Sequence, residues 1–230
     1  MKGASLKAEL INAGAAVVGY ACVEDIASGD ISHLGRAVSI GVVKNLNERS
    51  VKLLLAIEKK AASRLKKEGY RYLCIPPDSD RARGTFISRL YPLLTHKMAA
   101  TLSGLGWIGR NGLLINPVHG PRLSFATVLT DAPLEAGVPV KGSMCGECML
   151  CVQYCPPRAI TGNEWSQGVQ YRELVRTGRC AAWKKSRRAT GGKPNCGLCV
   201  NICPYGRKAA KETEDKTGGL QPVKTDIYPI

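Results

Sequence analysis

The chain has 230 residues, 44% hydrophobic and 22% charged, with 33 Lys and Arg against 18 Asp and Glu for a formal net charge of +15. That length allows one large domain or two small ones with ample core, and the balance is ordinary for a soluble globular protein. No apolar stretch reaches the roughly 18–20 residues of a membrane-spanning helix, so no membrane association is expected.

From the start, "ASLKAELINA" (4–13) sets Leu6 and Leu10 at helical spacing, and Gly14 stops the helix. Lys2 and Lys7 precede an apolar run, but Glu9 and Asn12 interrupt it, so the segment reads as helix then strand rather than a signal peptide. "AAVVGYACV" (15–23) and "AVSIGVV" (37–43) are strand candidates. Between Glu48 and Glu68, Val51, Leu54, Leu55, Ala61, Ala62 and Leu65 form an apolar stripe beside a charged face, with Gly69 as C-cap. "YRYLCI" (70–75) reads as a strand cut by Pro76 and Pro77, followed by the polar loop "DSDRARG" (78–84). A short helix is expected over 95–103, with strands at "GLLIN" (112–116) and "RLSFATVLT" (122–130). Helices alternating with strands predict an α/β or α+β layer domain over residues 1–138. From Lys141 onward cysteine, proline and glycine replace apolar runs. That texture predicts a metal-organised, two-cluster, bacterial-ferredoxin-like domain over 139–210, and then an extended polar tail over 211–230.

Eight of the ten cysteines fall after residue 144. Short cluster-like spacings suit thiolates binding metal, and imply a reducing cytoplasm rather than disulfides. Cys22 and Cys74 sit in strand-like segments and read as small buried hydrophobes. "MCGECMLCVQYCPP" (144–157) places Cys145, Cys148, Cys151 and Cys155-Pro156 in a C-x2-C-x2-C-x3-C-P run. In two-cluster ferredoxins the cysteine before proline ligates the other cluster. The partner motif is "CGLCVNICP" (196–204), with Cys196, Cys199 and Cys203; Cys180 stands sixteen positions ahead of it. Using all eight gives Cys145, Cys148, Cys151 and Cys203 to one 4Fe-4S cluster, and Cys155, Cys180, Cys196 and Cys199 to a second. Zinc also accepts four thiolates, but the two C-x3-C-P endings favour iron–sulfur clusters. Each oxidised cluster with its thiolates carries roughly −2, which offsets part of the basic excess. The remainder favours an anionic partner such as RNA, an acidic redox protein or an anionic cofactor.

"GLGWIG" (104–109) matches G-x-G-x-x-G, with Asp131 about twenty residues on. A dinucleotide loop follows a strand and opens a helix. Here a helical stretch precedes the glycines and Asn111-Gly112 turns into a strand, so a tight glycine turn anchored by Trp107 competes with any cofactor role.

"HKMAATLSGLGWIGRNGLLINP" (96–117), "RLSFATVLTDAPL" (122–134), the cysteine run and the isolated Cys180 together resemble the epoxyqueuosine reductase family. The resemblance covers residues 95–205 well and 4–95 loosely. It implies a cobalamin-binding α/β domain fused to a double 4Fe-4S domain, related to the core of reductive dehalogenases. The chain would be a short form without the C-terminal helical repeats. The implied function is that of an iron–sulfur oxidoreductase passing single electrons through two clusters to cobalamin or a substrate. The implied corrinoid pocket comprises Gly104, Gly106, Trp107, Gly109, Asn111 and Asp131. Implied partners are a low-potential donor of ferredoxin or flavodoxin type, and tRNA or a corrinoid protein. The sequence departs from the family where a catalytic acid is expected: "LYPLL" (90–94) contains none. His96 is the titratable candidate to replace it; a helix-start or packing histidine is the competing reading. The alternative function is a ferredoxin-like carrier or reductive activator with no substrate chemistry of its own. "AAWKKSRRATGGKPN" (181–195), with Trp183, Lys184, Lys185, Arg187, Arg188 and Lys193, suits an acidic donor or a solvated loop over a cluster better than RNA.

Overall fold

The computed structural model describes residues 3–26, 29–44, 49–77, 85–86, 91, 94–191 and 196–206. Glu48, the 78–84 loop, most of 90–94, Lys193 and the 211–230 tail, on which sequence expectations were placed, lie outside them.

The described elements, in chain order, begin with helix α1 (Gly3–Asn12), strands β1 (Val17–Cys22) and β2 (Arg36–Val43), helix α2 (Arg49–Lys67) and strand β3 (Tyr72–Ile75). Helix α3 (His96–Leu102), the short strands β4 (Trp107–Ile108) and β5 (Leu114–Ile115), and strand β6 (Leu123–Thr130) follow. The last helices are α4 (Leu150–Gln153), α5 (Tyr171–Leu174), α6 (Thr177–Ala189) and α7 (Leu198–Asn201). Strands β1, β2, β6 and β3 form one sheet in that order, antiparallel at every pairing. The fold is therefore α+β, with a central sheet between helices.

Side-chain alternation at a period of two sorts the strands' residues onto two faces. Val38, Ile40 and Val42 of β2 and Ala126 and Val128 of β6 meet Leu6 and Leu10 of α1 and Leu54, Ile57 and Leu65 of α2. The odd-numbered Ala37, Leu129 and Ile75 meet Ala99 of α3 on the other face. Gly19 on β1 permits that approach: a Cβ there would lie 2.8 Å from Cβ of Ser103. Burial of the apolar stripe on α2 is the main source of its stability, at roughly 25 cal/mol per Å² of area removed from water. Gly14 and Gly69 take φ of 105° and 83° where their helices end, values that favour glycine.

Two expectations change here. Cys22 is exposed, not buried, because its side chain ends the edge strand β1, where the Arg36 guanidinium donates to its sulfur at 3.3 Å. Cys74 is half-buried against the α1–α2 layer. The strand expected at 112–116 shortens to a two-residue arm of the β4–β5 hairpin.

The change of texture at Lys141 is not a gap in packing. Leu174, Val175 and Trp165 from the cysteine-rich half join Ala100, Ile108, Leu114 and Phe125 in one apolar cluster. The Val140 amide donates to the Thr101 carbonyl at 2.9 Å. Gly120 sits so close to the Tyr205 carbonyl that no side chain fits between them.

Candidate metal centre

The C-x2-C turns that open the two motifs are built the same way. Gly146 follows Cys145 and Gly197 follows Cys196, both in the left-handed region at φ of 54° and 63°. Only glycine enters that region without strain, and it lets the chain reverse so that two thiols point inward. Cys151 and Cys199 lie on the one-turn helices α4 and α7, which pack against each other.

Cys145, Cys148, Cys151 and Cys203 line one pocket with Gly109, Arg110 and Asn111, partly open to solvent. Burial, aided by the neighbouring sulfurs of Cys145, Cys199, Cys148 and Cys203, pushes the Cys151 thiol up to about 12. Burial likewise raises Cys199 to about 11, aided by Cys196, Cys180 and Cys155. The electrostatic neighbours thus fall into two groups, Cys145, Cys148, Cys151 and Cys203, and Cys155, Cys180, Cys196 and Cys199, joined where Cys151 faces Cys199. The Ala159 amide donates to the Cys155 sulfur at 3.2 Å. Protons held this tightly must leave when metal binds, which makes loading pH-dependent.

Among the described residues no three His, Cys, Asp or Glu side chains converge as a lone metal ion requires. A zinc tetrahedron brings its sulfurs to roughly 3.8 Å of one another, given Zn–S bonds near 2.3 Å. A four-iron cluster interposes its own iron and sulfide and holds four thiolates further apart. The donor set, all sulfur and in two adjoining fours, fits such clusters.

The glycine segment serves these cysteines. The Asn111 side chain donates to the Cys199 carbonyl at 3.1 Å, while its oxygen accepts from the Leu113 amide at 3.1 Å. Gly112 packs against the Tyr171 ring, which lies near Cys180 and Cys199. The β4–β5 turn is therefore wedged between both cysteine groups. Trp107, 2% exposed, stacks edge-on to Tyr205 at 4.9 Å in a cluster with Ile115 and Cys203.

Several contributors were not singled out from the sequence. Arg110, whose side chain is only 11% exposed, bonds Glu164 at 2.6 Å and the carbonyl of Gly146 at 2.8 Å, and also donates to the carbonyl of Gly162. It clamps the loop carrying the first cysteines and sets a cation beside their pocket. Arg122 adds a second, favouring the Cys203 thiolate. Lys97 donates to the Gly112 carbonyl at 2.7 Å and lies 4.5 Å over the Tyr171 ring. The one available signal was Arg110 within "GRNG": a cation inside a turn already marked as close-packed.

The residues assigned to a corrinoid do not share one cradle. A Cβ on Gly104 would meet the Val138 carbonyl oxygen at 2.8 Å, and one on Gly106 would collide with that of Ile115. These glycines accommodate their own chain, and Gly109 and Asn111 open on the cysteine pocket. Asp131 sits beyond the far end of β6, accepting from the Arg71 amide at 2.9 Å and guanidinium at 2.8 Å. Desolvation is the largest single influence and raises its carboxyl, but the hydrogen bonds and charge of Arg71 together outweigh it and hold the carboxyl below the usual range. His96 starts α3 with Thr95 as N-cap. Its Nδ1 pairs with the Thr127 hydroxyl at 2.9 Å and its Nε2 with the Pro76 carbonyl at 3.1 Å. Both ring nitrogens are engaged inside the protein, the environment of a packing histidine.

Residues 144–206 match a family described as a 4Fe-4S double cluster binding domain, which supports iron–sulfur clusters as the cofactor class of this segment. The epoxyqueuosine reductase of Synechococcus sp. (strain RCC307) is 34% identical over 130 residues, covering 53% of this chain and 38% of that protein. That of Staphylococcus aureus (strain NCTC 8325 / PS 47) is 30% identical over 139 residues, covering 60% and 36%. A crystal structure of epoxyqueuosine reductase with an epoxyqueuosine-modified tRNA-Tyr stem loop superposes with a TM-score of 0.62 at 16% identity, covering 89% of this chain and 65% of the other. A catabolic reductive dehalogenase in complex with 3-bromo-4-hydroxybenzoic acid gives 0.61 at 19%, covering 88% and 31%. Over these matched residues the chain is similar to epoxyqueuosine reductases, and it shares its fold with them and with reductive dehalogenases. Its matches span under half the length of these curated relatives. Among the described residues no helix is long and apolar enough to cross a membrane.

Proposed function

We propose that this chain is the redox core of an iron–sulfur reductase. In this reading Cys145, Cys148, Cys151 and Cys203 hold one 4Fe-4S cluster, and Cys155, Cys180, Cys196 and Cys199 hold the other. The observation that carries it is the meeting of two all-sulfur groups at Cys151 and Cys199. When bound, such clusters supply one-electron transfer at potentials tuned by hydrogen bonds and exposure. The chain's own part is to orient eight thiols, to donate the Ala159 amide to one of them, and to set Arg110 and Arg122 against the added negative charge. The Asn111 turn fixes the spacing of the two groups, and the apolar cluster around Phe125 ties them to the sheet, where an acceptor would be presented.

Cobalamin is the acceptor implied by the resemblance, and a solved reductive dehalogenase is described as supporting B12-dependent dehalogenation. The six residues singled out for it here do not form a cradle, so no step is derived through it. The tRNA stem loop of the solved relative makes RNA a substrate to test, together with the low-potential donor. Because those six residues accommodate their own chain or pair with Arg71, a second reading stands beside the first, an electron carrier or reductive activator of a partner protein.

Anaerobically purified protein should be brown and contain about eight irons per chain, with cluster signals in electron paramagnetic resonance after dithionite reduction. A colourless, zinc-loaded protein would overturn the reading. Cobalt retained at one per chain after cobalamin is offered would restore the corrinoid and reject the carrier.

A further inference from the structure

Helix α6 is thirteen residues long, yet none of its residues is buried. Its inward stripe consists of Cys180, Trp183, Lys184 and Arg187, all half-buried, at the i, i+3, i+4, i+7 spacing of one helical face. Trp183 is turned inward, its Nε1 shielded from solvent without a hydrogen-bond partner. The outward surface carries Arg179, Lys185 and Arg188, all exposed, and Arg176 adds a fourth exposed cation at the N-terminal boundary. No Asp or Glu occurs between Leu174 and Gly191.

A helix with no fully buried residue and with two cations on its inner stripe gains little from packing. What it does present is a cysteine of the second group beneath a positive, acid-free surface. Lys185 and Arg188 lie about 8 and 12 Å along the helix axis from Cys180.

Resting on the iron–sulfur reading above, we infer that the outer surface of α6 is the docking site for an acidic one-electron donor protein, and that electrons enter at the cluster held by Cys155, Cys180, Cys196 and Cys199. The donor is oxidised by one electron and this cluster is reduced by one; no bond or proton moves. Charge complementarity of this kind chiefly accelerates encounter and is weakened by salt. A single-stranded RNA site would present aromatic faces for base stacking. The aromatic side chain of this helix, Trp183, faces inward, so a protein partner is favoured.

The test uses the double variant Lys185→Glu/Arg188→Glu, with an acidic flavodoxin as probe. Stopped-flow bleaching by reduced flavodoxin should slow at least tenfold at low salt, and the Kd for oxidised flavodoxin should rise by a similar factor. Both differences should shrink as salt rises, while bleaching by dithionite and iron content stay at wild-type values. Lys185→Gln/Arg188→Gln should give an intermediate rate, which guards against misfolding of the reversed pair. Equal flavodoxin rates in wild type and variants, with normal dithionite bleaching, would overturn the docking site and leave the cluster reading intact. So would loss of affinity for an RNA stem loop with donor kinetics unchanged. Absence of dithionite bleaching in the wild type would overturn both.

Discussion

The sheet half and the cysteine half of this molecule are built on different physical terms. In the first, Leu6, Leu10, Leu54, Ile57 and Leu65 are at most 1% exposed, and two helices are held chiefly by apolar area. In the second, α4, α6 and α7 contain no buried residue. Their positions follow from the cysteines they carry and from the β4–β5 turn pressed between them. One half obeys the periodicity of a hydrophobic core, whereas the other is arranged around what eight sulfurs can bind.

Removing the metal should separate the halves most sharply. After anaerobic chelation of iron, amide protection in α6 and α7 should fall to unfolded values while β2 and β6 keep theirs, as read by hydrogen exchange. Equal loss in both regions would mean that the sheet also depends on the clusters. The converse disturbance is Leu54→Ala, which should lower stability by about 4 kcal/mol through the cavity it leaves. A reduced urea midpoint with unchanged iron content would check it.

Glu58 sharpens the comparison from within the core. It is 3% exposed, and its Oε1 has no hydrogen-bond partner. Burial raises its carboxyl from 4.5 to about 7. The folded state holds this proton more tightly than the unfolded chain, so the stabilisation is full below about pH 4.5 and fades as pH rises to about 7. The loss should total roughly 3 kcal/mol, and Glu58→Gln should flatten it in denaturation curves taken across that range. The smallest effect is expected from Asp131→Asn. Its partner Arg71 is largely exposed, so stability should change by about 0.5 kcal/mol or less. The contribution of this lowered carboxyl is present above the ordinary range of a carboxylate and lost as pH falls through it. Iron content should not change; a loss of iron would return Asp131 to the metal centre.

The sequence made the helices and main strands of the sheet half readable because apolar spacing and glycine stops are local signals. The proposed division of the cysteines rests on a different kind of signal, the exchange of ligands between C-x3-C-P motifs in two-cluster ferredoxins. The glycine segment was not legible, because its partners are distant in sequence. Gly104 answers to Val138, Asn111 to Cys199 and Gly112 to Tyr171, and no spacing rule connects those pairs. Cys22 was misjudged because an edge strand shows the same alternation as a central one, and only the neighbouring strands decide which side meets water. His96 offered a titratable side chain in the sequence, but the Thr127 hydroxyl and Pro76 carbonyl that occupy its nitrogens lie 31 and 20 residues away.

The single turn from Gly109 to Leu113 touches both cysteine groups, and Cys151 and Cys199 sense each other across the boundary. An electron placed on one side changes the electrostatic cost of placing the next on the other. Reductive titration should therefore trace two interacting steps whose midpoints belong to the pair, with the first electron making the second harder to add. On the proposed reading, a double-cluster core with this geometry would be a graded store of charge rather than two separate relays.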